Sequence, residues 1–424
     1  MAEVLVVGAG GREHAIVRAL ARTSPGITLH AAPGNPGIGA DATLHAVPAD
    51  DVAGLVALAR DLAVDLVAVG PEVPLVAGLV DALDAAGIPA FGPSAAAARL
   101  EGSKAFAKEI MLAAGVPTAG HATVTTVDDG MAAITRYPVV LKYDGLAAGK
   151  GVVIATDEVM ARETLIDMLE DRRFGAAAVV VEEFLDGEEV SLLAICDGER
   201  AIPLAPAQDY KRIFDGDEGP NTGGMGSYSP VVGVDADRAA EISRLVHQPV
   251  VDELARRGTP FRGVLYAGLM LTADGVRVLE YNTRFGDPET QAVLPRLRSD
   301  LYGLMVRTTA GGAGLDGATL EWDPAWAVTL VLASEGYPAS SSAGDVIAGL
   351  DGLPDGIELT HAGTAVDDRG RPVTAGGRVL NLTALGDGPA AARDAAYAAA
   401  DGVRFDGRQL RTDIAARAVE RFPA

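Results

Sequence analysis

Val4-Leu5-Val6-Val7-Gly8-Ala9-Gly10-Gly11 is an apolar run that leads directly into a glycine-rich turn. Such a run is typical of a strand buried in a parallel sheet, and the glycines permit a tight turn into a helix. Residues 1–100 repeat this alternation of short strands and alanine-rich helices. We therefore predict a doubly wound α/β unit, with parallel strands at Val4–Val7, Ile27–Ala31, Leu66–Val69 and Ala90–Phe91 and helices near 12–22, 50–62 and 75–86.

The turn Gly8–Gly11 carries only part of a dinucleotide-binding fingerprint. That fingerprint needs a third glycine where this chain has Glu13, and an acid at the end of the second strand, near His30. The pattern therefore argues against NAD, although the helix N-terminus can still hold an anion. Two more turns, Pro33–Gly37 and Gly70–Pro74, follow strands at the edge where such sheets bind ligands. Each turn taken alone is also compatible with a simple chain reversal.

The composition limits the classes of protein to which the chain can belong. Its 424 residues suffice for several subdomains, and 49% are hydrophobic without a long unbroken apolar run, so we predict no membrane-spanning helix. The formal net charge of −23 argues against nucleic acid or an anionic membrane as a partner. The single cysteine, Cys196, excludes an intramolecular disulfide, and Met1–Val7 lacks the basic segment of a signal peptide. We expect a monomeric, cytoplasmic protein.

The pattern of the chain changes twice after residue 100. A helix near 103–114 precedes a small α/β section at about 120–187, for which we predict strands Val139–Tyr143, Val152–Ala155 and Val179–Glu183 and a helix near 157–170. Residues 189 to about 310 favour longer antiparallel strands with one long helix, Asp235–Arg257. Beyond Trp326 we expect short strands and a final helix from about 389.

Lysine is rare in this chain. Only five of its 35 Lys and Arg residues are lysines, and all five lie between positions 104 and 211. A lysine ammonium is a compact charge that can follow a phosphate, whereas the guanidinium fork of arginine is rigid. These lysines are therefore candidates for anion binding, with one exception: Lys108 follows Lys104 by one helical turn, and we expect it to be exposed. The five are Lys104, Lys108, Lys142, Lys150 and Lys211.

The segment Gly145–Gly151 contains three glycines and Lys150 between two predicted strands. It is not a P-loop, because the spacing is one residue short and no Ser or Thr follows the lysine. A glycine-rich loop that joins two strands can instead close over phosphates with its backbone N–H groups. Lys142, on the strand beneath the loop, could hold a phosphate oxygen. A hairpin with solvated lysines is the alternative.

The run Leu279-Glu280-Tyr281-Asn282-Thr283-Arg284 carries the strongest chemical pattern. Alternate residues of a strand share a face, so a carboxylate, an amide oxygen and a guanidinium are expected side by side at Glu280, Asn282 and Arg284. Carboxylate and amide oxygens suit Mg²⁺, and the arginine can stabilise a phosphoryl group. A polar strand face in water is the alternative, but the turn Phe285–Glu289 follows at once and favours a site.

Three weaker segments complete the candidate site. The strand and turn at Val181–Glu189 could offer a backbone carbonyl and N–H to an adenine edge, with Glu189 accepting from a ribose. Gln208–Arg212 places Lys211 and Arg212 where they could form a cationic pocket. The loop Pro220–Gly226 is too rich in glycine for a helix or a central strand, so we predict that its backbone approaches a ligand.

With these residues in view, the chain resembles the phosphoribosylamine–glycine ligase family, also called glycinamide ribonucleotide synthetases, of the ATP-grasp superfamily. The resemblance spans essentially all 424 residues. It implies an ATP-grasp fold of mixed α/β and α+β class, with a doubly wound N-terminal domain (1–100), an ATP-grasp domain (101–325) with a lid subdomain (about 120–187), and a small mixed C-terminal domain (326–424). It rests on the ordered motifs VVGAGGREHA, PGNPG, VGPEVPL, FGPS, GSKAFAK, DGLAAGKGVV, EEFLDGEEVS, QDYKR, DGDEGPNTGGMG, LEYNTRFGDPETQ and SEGYP.

The resemblance also implies a role for each candidate residue, and these roles fall into four groups. Phosphates of ATP would be held by Lys104, Lys142, Gly149, Lys150 and Gly151. Adenine would meet Glu182, Glu183 and Leu185, and the ribose Glu189. Mg²⁺ or Mn²⁺ would be ligated by Glu280 and Asn282. Phosphoribosylamine would lie against Gly10, Gly11, Asn35 and Glu72, with Asp209, Lys211 and Arg284 opposite, and catalysis would fall to Arg284 and Lys142.

The implied reaction joins glycine to 5-phosphoribosylamine with cleavage of ATP, through a glycyl phosphate, in de novo purine biosynthesis. Departures from the family pattern are Tyr143, where alanine is usual, Tyr210, where histidine is usual, and Tyr281 and Thr283 in the metal motif. Many ATP-grasp enzymes take a further carboxylate from the preceding strand, but Val264–Thr272 contains none. Alternatives are a ligase for another carboxylate, formate or bicarbonate, a non-catalytic nucleotide sensor, and a dehydrogenase, which the incomplete fingerprint disfavours.

Overall fold

The computed structural model describes residues 1–147 and 151–422. Its N-terminal part is built on a parallel sheet with the strand order β3-β2-β1-β4-β5. The order reverses at β1, as expected for a doubly wound sheet. All four predicted strands are present, and a short strand at the edge was not predicted. The strands are β1 (Ala2–Gly8), β2 (Ile27–Pro33), β3 (Thr43–Leu44), β4 (Leu66–Val69) and β5 (Ala90–Phe91).

Helices cover both faces of this sheet. The prediction of one helix near 75–86 is wrong, because the chain forms two short helices separated at Gly78. Gly78 has φ +87°, a left-handed conformation that interrupts a helix and that glycine adopts without strain. The helices of this part are α1 (Gly11–Thr23), α2 (Val52–Asp61), α3 (Glu72–Val76), α4 (Leu79–Ala85) and α5 (Ala95–Gly102).

The next section is a small antiparallel sheet with the order β6-β9-β7-β8. Helices α7 and α8 pack on it through an apolar cluster that includes Leu141, Leu165 and Val181. The three predicted strands are confirmed, because each is a short run rich in β-branched residues. The elements are α6 (Lys104–Ala113), β6 (His121–Val124), α7 (Val127–Ala133), β7 (Val139–Tyr143), β8 (Val152–Ala155), α8 (Glu158–Leu169) and β9 (Val179–Glu183). We call residues 120–187 the lid.

A second antiparallel sheet, β11-β10-β16-β17, faces the lid. The predicted single helix Asp235–Arg257 is wrong, since it divides at His247 into α9 and α10. Pro249 lies in the first turn of α10, where its missing N–H costs no hydrogen bond, so a new helix can begin there. The elements are β10 (Glu188–Asp197), β11 (Ala201–Pro203), β12 (Gln208–Asp209), β13 (Arg212–Phe214), β14 (Glu218–Asn221), β15 (Gly226–Ser229), α9 (Ala236–Val246), α10 (Gln248–Arg256), β16 (Arg262–Thr272) and β17 (Gly275–Asn282).

The C-terminal part shares a sheet with the preceding part. Its strands β18, β22 and β19 continue the order β12-β15-β18-β22-β19, so β12 and β15 tie residues 208–229 to it. The predicted helix from about 389 is present but is not the last. The elements are α11 (Glu289–Val293), α12 (Leu301–Thr308), β18 (Trp326–Ala333), β19 (Ile357–His361), β20 (Thr364–Val366), β21 (Pro372–Thr374), β22 (Arg378–Gly386), α13 (Pro389–Gly402) and α14 (Ala416–Arg421).

The largest apolar core joins these parts. It runs from α6 and the strands β10 and β16, through α9 and α10, to β18, β22 and α13. A second core connects α1 and β1 with β10 and α12. The N-terminal part and the middle sheet are thus packed against each other. Within the described ranges, no helix has both the length and the apolar character needed to cross a membrane.

Candidate active site

Glu280 and Asn282 lie at the end of β17, where the strand meets the lid. Glu280 pairs across the sheet with Gly268 of β16, where an added Cβ would approach the Glu280 side chain to 3.2 Å. The missing side chain at Gly268 therefore leaves room for the carboxylate. Arg284 was predicted to lie on the strand, but β17 ends at Asn282 and Arg284 follows in the turn. The carboxylate and the guanidinium nevertheless remain close enough to interact.

The Glu280 carboxyl is surrounded by cations. Burial alone would raise its pKa, but neighbouring positive charges outweigh burial and hold the pKa below its usual value. Lys211 Nζ lies 3.8 Å from Glu280 Oε1 and has the largest of these effects. The carboxylate is therefore ionised at neutral pH and available to a metal. In order of effect, the cations are Lys211, Lys142, Lys104 and Arg284.

Arg284 is fixed by two acids from the N-terminal part of the chain. A guanidinium nitrogen lies 2.7 Å from Glu101 Oε1, and Nε lies 3.5 Å from Glu72 Oε2. Burial would lower the pKa of Arg284, but these two carboxylates raise it. The carboxylate of Glu72 is directed at Arg284, and its predicted contact with substrate remains a prediction. Glu101 was missed from the sequence, and the only signal was an acid directly before the Gly-Ser-Lys motif.

A buried ion-pair cluster connects the lid to α6. The Nζ atoms of Lys108 and Lys142 lie 3.0 Å and 3.1 Å from the same oxygen, Glu182 Oε2. The expectation that Lys108 is exposed is wrong, since only 2% of it is accessible. Its burial is tolerated because its ammonium pairs with a carboxylate and also donates to Thr118 Oγ1 at 2.7 Å. Burial lowers the pKa of Lys108 to about 8, so it remains largely protonated at pH 7.

Lys104 lies at the entrance to the glycine-rich loop. Its ammonium donates to the carbonyl of Gly145 at 3.0 Å, and burial lowers its pKa. Asp144 accepts from Ser103 Oγ at 2.9 Å and from the N–H of Ala105 at 3.1 Å, which joins the end of β7 to the start of α6. Two predicted phosphate-binding residues, Gly149 and Lys150, lie outside the described residues. Gly151 is described, and its carbonyl accepts from Tyr143 N.

The residues predicted to meet adenine and ribose lie at the end of β9, in the turn after it and at the start of β10. The backbone N–H of Glu183 donates to Gly120 at 2.9 Å, so this N–H is already used within the lid, while the Glu183 side chain is exposed. Leu185 is half-buried in the turn between β9 and β10. Glu189 forms an ion pair with Lys211, which also faces Glu280. Lys211 thus connects the predicted ribose and metal residues.

At the N-terminal sheet, Glu13 caps the turn that could have held an anion. Its Oε2 accepts from the N–H of Gly10 at 2.6 Å, and its Oε1 pairs with Arg12 Nε at 2.5 Å. A carboxylate therefore already lies at the start of α1. Gly11 faces the C-terminal part, where an added Cβ would collide with the side-chain amide of Asn381. A close backbone approach explains the glycine at this position.

Asn35 is buried, and its side chain joins three backbone segments. Its Nδ2 donates to the carbonyls of Ala9 and His361, both at 2.8 Å, and its Oδ1 accepts from Ile38 N at 2.9 Å. The amide is thus engaged between the turn that follows β1, its own turn and β19. Contact with substrate at this position remains a prediction.

Asp209 and Lys211 form a polar cluster beside Glu280. Burial raises the pKa of the Asp209 carboxyl well above its usual value, although Lys211 opposes this effect. Burial would lower the pKa of Lys211, but Glu189 and Asp209 raise it. In this cluster the single cation Lys211 thus interacts with three acids, Glu189, Asp209 and Glu280.

Two of the three tyrosines that depart from the family pattern, Tyr143 and Tyr210, form hydrogen bonds away from the candidate site. Tyr143 OH donates to the carbonyl of Phe174 at 2.8 Å, within the lid. Tyr210 OH accepts from Ala415 N at 2.9 Å, at the C-terminal end of the chain. Both hydroxyls therefore have structural partners away from Glu280 and Asn282.

The oxygen atoms of Glu280 and Asn282 suit a hard cation whose remaining coordination positions are filled by phosphate oxygens. Mg²⁺ commonly takes one or two protein ligands and keeps further positions for substrate and water. The two residues supply an ionised carboxylate and a half-buried amide. Among the described residues, no group of three or more His, Cys, Asp or Glu side chains could hold a metal by itself.

Family models match most of the chain. The N domain of phosphoribosylglycinamide synthetase matches residues 2–101, the ATP-grasp (A) domain residues 102–290, and the C domain residues 327–417. The phosphoribosylamine–glycine ligase of Streptomyces coelicolor is 53% identical over 423 residues, which cover 98% of this chain and 99% of the relative. That of Xanthomonas axonopodis pv. citri is 47% identical over 426 residues, covering 99% and 98%.

Solved structures agree with these matches. The crystal structure of phosphoribosylamine–glycine ligase from Thermotoga maritima superimposes with a TM-score of 0.85 at 35% identity, covering 97% of this chain and 100% of the other. The biotin carboxylase domain of Hydrogenobacter thermophilus 2-oxoglutarate carboxylase, solved with MgADP, ADP and bicarbonate, gives a TM-score of 0.72 at 18% identity, covering 96% and 91%. The second likeness shows the fold alone. Together with the family match, it confirms the predicted ATP-grasp fold.

Proposed function

The chain belongs to the phosphoribosylglycinamide synthetase family, and from this premise we propose that it joins glycine to 5-phosphoribosylamine. ATP is cleaved to ADP and phosphate, and the product is glycinamide ribonucleotide, an intermediate of de novo purine biosynthesis. One observation supports this reading above others: the ionised carboxylate of Glu280 lies among lysines from the lid, from α6 and from the segment between β12 and β13. This arrangement suits a metal-bound polyphosphate.

The first step is transfer of a phosphoryl group. The carboxylate of glycine is a poor electrophile, so one of its oxygens attacks the γ-phosphorus of ATP, the bond to the β-phosphate oxygen breaks, and glycyl phosphate and ADP form. Charge neutralisation and positioning dominate such a step. Lys104, Lys142 and Arg284 supply positive charge, with Gly149, Lys150 and Gly151 assigned to the loop over the phosphates. Glu280 and Asn282 would hold Mg²⁺ or Mn²⁺, which when bound neutralises phosphate charge.

The second step forms the carbon–nitrogen bond. The amine of phosphoribosylamine attacks the carbonyl carbon of glycyl phosphate, the carbon–oxygen bond to phosphate breaks, and the amine loses a proton. Water would hydrolyse the acyl phosphate, so closure of the lid protects it. We assign the nucleotide to Glu182, Glu183, Leu185 and Glu189, and phosphoribosylamine to Gly10, Gly11, Asn35, Glu72, Asp209, Lys211 and Arg284.

Each of the three segments of the chain has its own proposed role. Residues 1–100 would contribute to the binding of phosphoribosylamine, and residues 101–325 would form the ATP-grasp domain with its lid. Residues 326–424 would form the C-terminal domain. The acidic character of the chain supports small-molecule substrates rather than nucleic acid or an anionic membrane. We propose a monomer in the cytoplasm.

Release of ADP, measured with each substrate omitted in turn, tests this function. We expect release to require ATP, glycine and phosphoribosylamine together. Release that is supported by formate or bicarbonate, but not by glycine, would instead favour the other carboxylate ligases of the superfamily. ATP that binds but is never cleaved with all substrates present would favour a nucleotide sensor.

A further inference from the structure

One oxygen of the Glu182 carboxylate has two cationic partners, and the other has none. Lys108 and Lys142 both approach Oε2, at 3.0 Å and 3.1 Å. Oε1 is buried and has no hydrogen-bond partner among the described residues. Only 2% of Glu182 is accessible. A buried acceptor without a donor is costly, so the unused oxygen points to a donor supplied by a ligand.

The two lysines are held from different directions. Lys142 belongs to the lid and donates to the carbonyl of Leu279 at 2.9 Å. Lys108 belongs to α6, outside the lid, and donates to Thr118 Oγ1 at 2.7 Å; this hydroxyl donates in turn to the carbonyl of Val278 at 2.7 Å. The two carbonyls directly precede Glu280 on β17. The cluster therefore attaches the nucleotide side of the lid to the strand that carries the metal residues.

Two anionic groups can attract Lys142, namely Glu182 and the phosphates of a nucleotide, whereas Lys108 pairs with Glu182 alone. Lys142 lies near Glu280, where the phosphates of a nucleotide would attract it, so it can move from Glu182 to a phosphate oxygen. Lys108 is buried deeply beside Glu182, with 2% of its surface accessible, and its second partner is a neutral hydroxyl. When Lys142 moves, Lys108 remains as the counter-ion of Glu182.

We propose that Lys108 is a specificity-determining positioning residue, which holds Oε2 of Glu182 in place so that Oε1 stays directed at the exocyclic amino group of adenine. The inference rests on the proposed function only in that the ligand is ATP. An amino group donates to a carboxylate oxygen. A base with a carbonyl at the same position, such as hypoxanthine, presents an acceptor to an acceptor and is rejected. Without Lys108, Lys142 is the only one of the two lysines left to hold Glu182, so the carboxylate loses its fixed orientation when Lys142 turns to a phosphate.

Binding of ATP and of inosine triphosphate to the full chain, without glycine or phosphoribosylamine, tests the inference. We expect the wild type to bind ATP at least about 10-fold more tightly, because the site rejects the base that lacks its donor. In K108M, whose side chain has similar length and no charge, we expect this preference to fall roughly 10-fold, mainly through weaker ATP binding. Glu109→Gln is the matched control, because Glu109 is the next residue of α6 and is exposed. It should retain the full preference.

A second variant separates positioning from folding. Glu182→Gln should lose the preference to a similar extent, and K108M combined with E182Q should lose no more than either alone, because Lys108 acts through Glu182. Equally weakened binding of ATP and inosine triphosphate in K108M would mean that Lys108 has a merely structural role. Losses of preference that add up in the double variant, or an unchanged preference in E182Q, would also overturn the inference. If K108M fails to fold, Lys108→Gln, which is also uncharged but retains a polar donor group, is measured in its place with the same expected loss of preference. Since no turnover is measured, the outcome is independent of whether ADP release requires glycine.

Discussion

The Glu101 carboxylate lies 2.7 Å from the guanidinium of Arg284, and its second oxygen accepts the backbone N–H of Thr283 at 2.8 Å. Glu101 is the penultimate residue of α5, whereas Arg284 follows the strand that carries Glu280 and Asn282. One buried acid thus fixes both the side chain of Arg284 and the backbone just before it. The position of the guanidinium next to Glu280 depends on this contact.

We expect Glu101→Gln to lower turnover about 10- to 100-fold, which corresponds to about 1.4–2.8 kcal/mol in the barrier. Glutamine keeps an oxygen for Thr283 but loses the charge that orients Arg284, so the guanidinium becomes less well placed. Steady-state ADP release, measured together with the thermal midpoint, checks this prediction. The exposed variant E109Q provides the control, and turnover at the wild-type level in E101Q would show that Glu72 alone suffices to position Arg284.

Glu280→Ala should abolish most of the turnover while the fold is retained. The loss of one charge-stabilising group at a phosphoryl-transfer site costs roughly 2–4 kcal/mol in the barrier. The variant should also need a higher Mg²⁺ or Mn²⁺ concentration, because only the amide of Asn282 remains as a proposed ligand. Titration of each metal in the ADP-release assay measures both effects. A variant with an unchanged metal requirement would remove Glu280 from the metal site.

Local patterns in the sequence were sufficient to predict most strands and the face that bears Glu280 and Asn282. Strands β7, β8 and β9 are short runs of β-branched residues between turns, and their predicted bounds are confirmed. The break between α9 and α10 was missed because proline is tolerated in the first turn of a helix, so the apolar pattern continues across it. Helix existence was therefore predictable, but the division at His247 was not.

Long-range ion pairs leave no periodic signal in a sequence. Lys108 sits on an α6 face that could have been exposed, and only the fold brings Glu182 to it. Glu101 meets Arg284 in the same way, from a helix far away in the chain. The types of residue at the site were predictable, because carboxylate, amide and lysine imply metal and phosphate chemistry. Which side chains hold one another in place was not.

Asn35 provides a test that separates a structural role from substrate binding. Asn35→Ala leaves the carbonyls of Ala9 and His361 and the N–H of Ile38 without their partner, and these groups are in a buried region. We expect a loss of about 2–4 kcal/mol in the free energy of unfolding, since each unsatisfied buried group is costly. Urea denaturation measures this loss. An unchanged stability with a raised KM for phosphoribosylamine would instead support the substrate contact predicted from the resemblance.

His247 makes the stability of the chain sensitive to acid. The ring is fully buried, Nε2 lies 3.2 Å from the carbonyl of Leu192, and burial lowers the pKa of the imidazole to about 4. An unfolded histidine has a pKa of about 6.5, so between these values the unfolded chain binds a proton that the folded chain does not. The stability is therefore complete above about pH 6.5 and falls as the pH decreases towards 4.

His247→Gln isolates this effect, because an amide can still donate to Leu192 but does not titrate. Between pH 7.5 and 4.5, we expect the free energy of unfolding of the wild type to fall by about 2–3 kcal/mol more than that of the variant. Other buried histidines, including His14 and His361, have lowered pKa values through burial and act equally in both proteins, so the difference reports on His247 alone. Urea denaturation at several pH values measures it. Parallel pH profiles for the two proteins would mean that His247 is protonated at the same pH whether folded or unfolded.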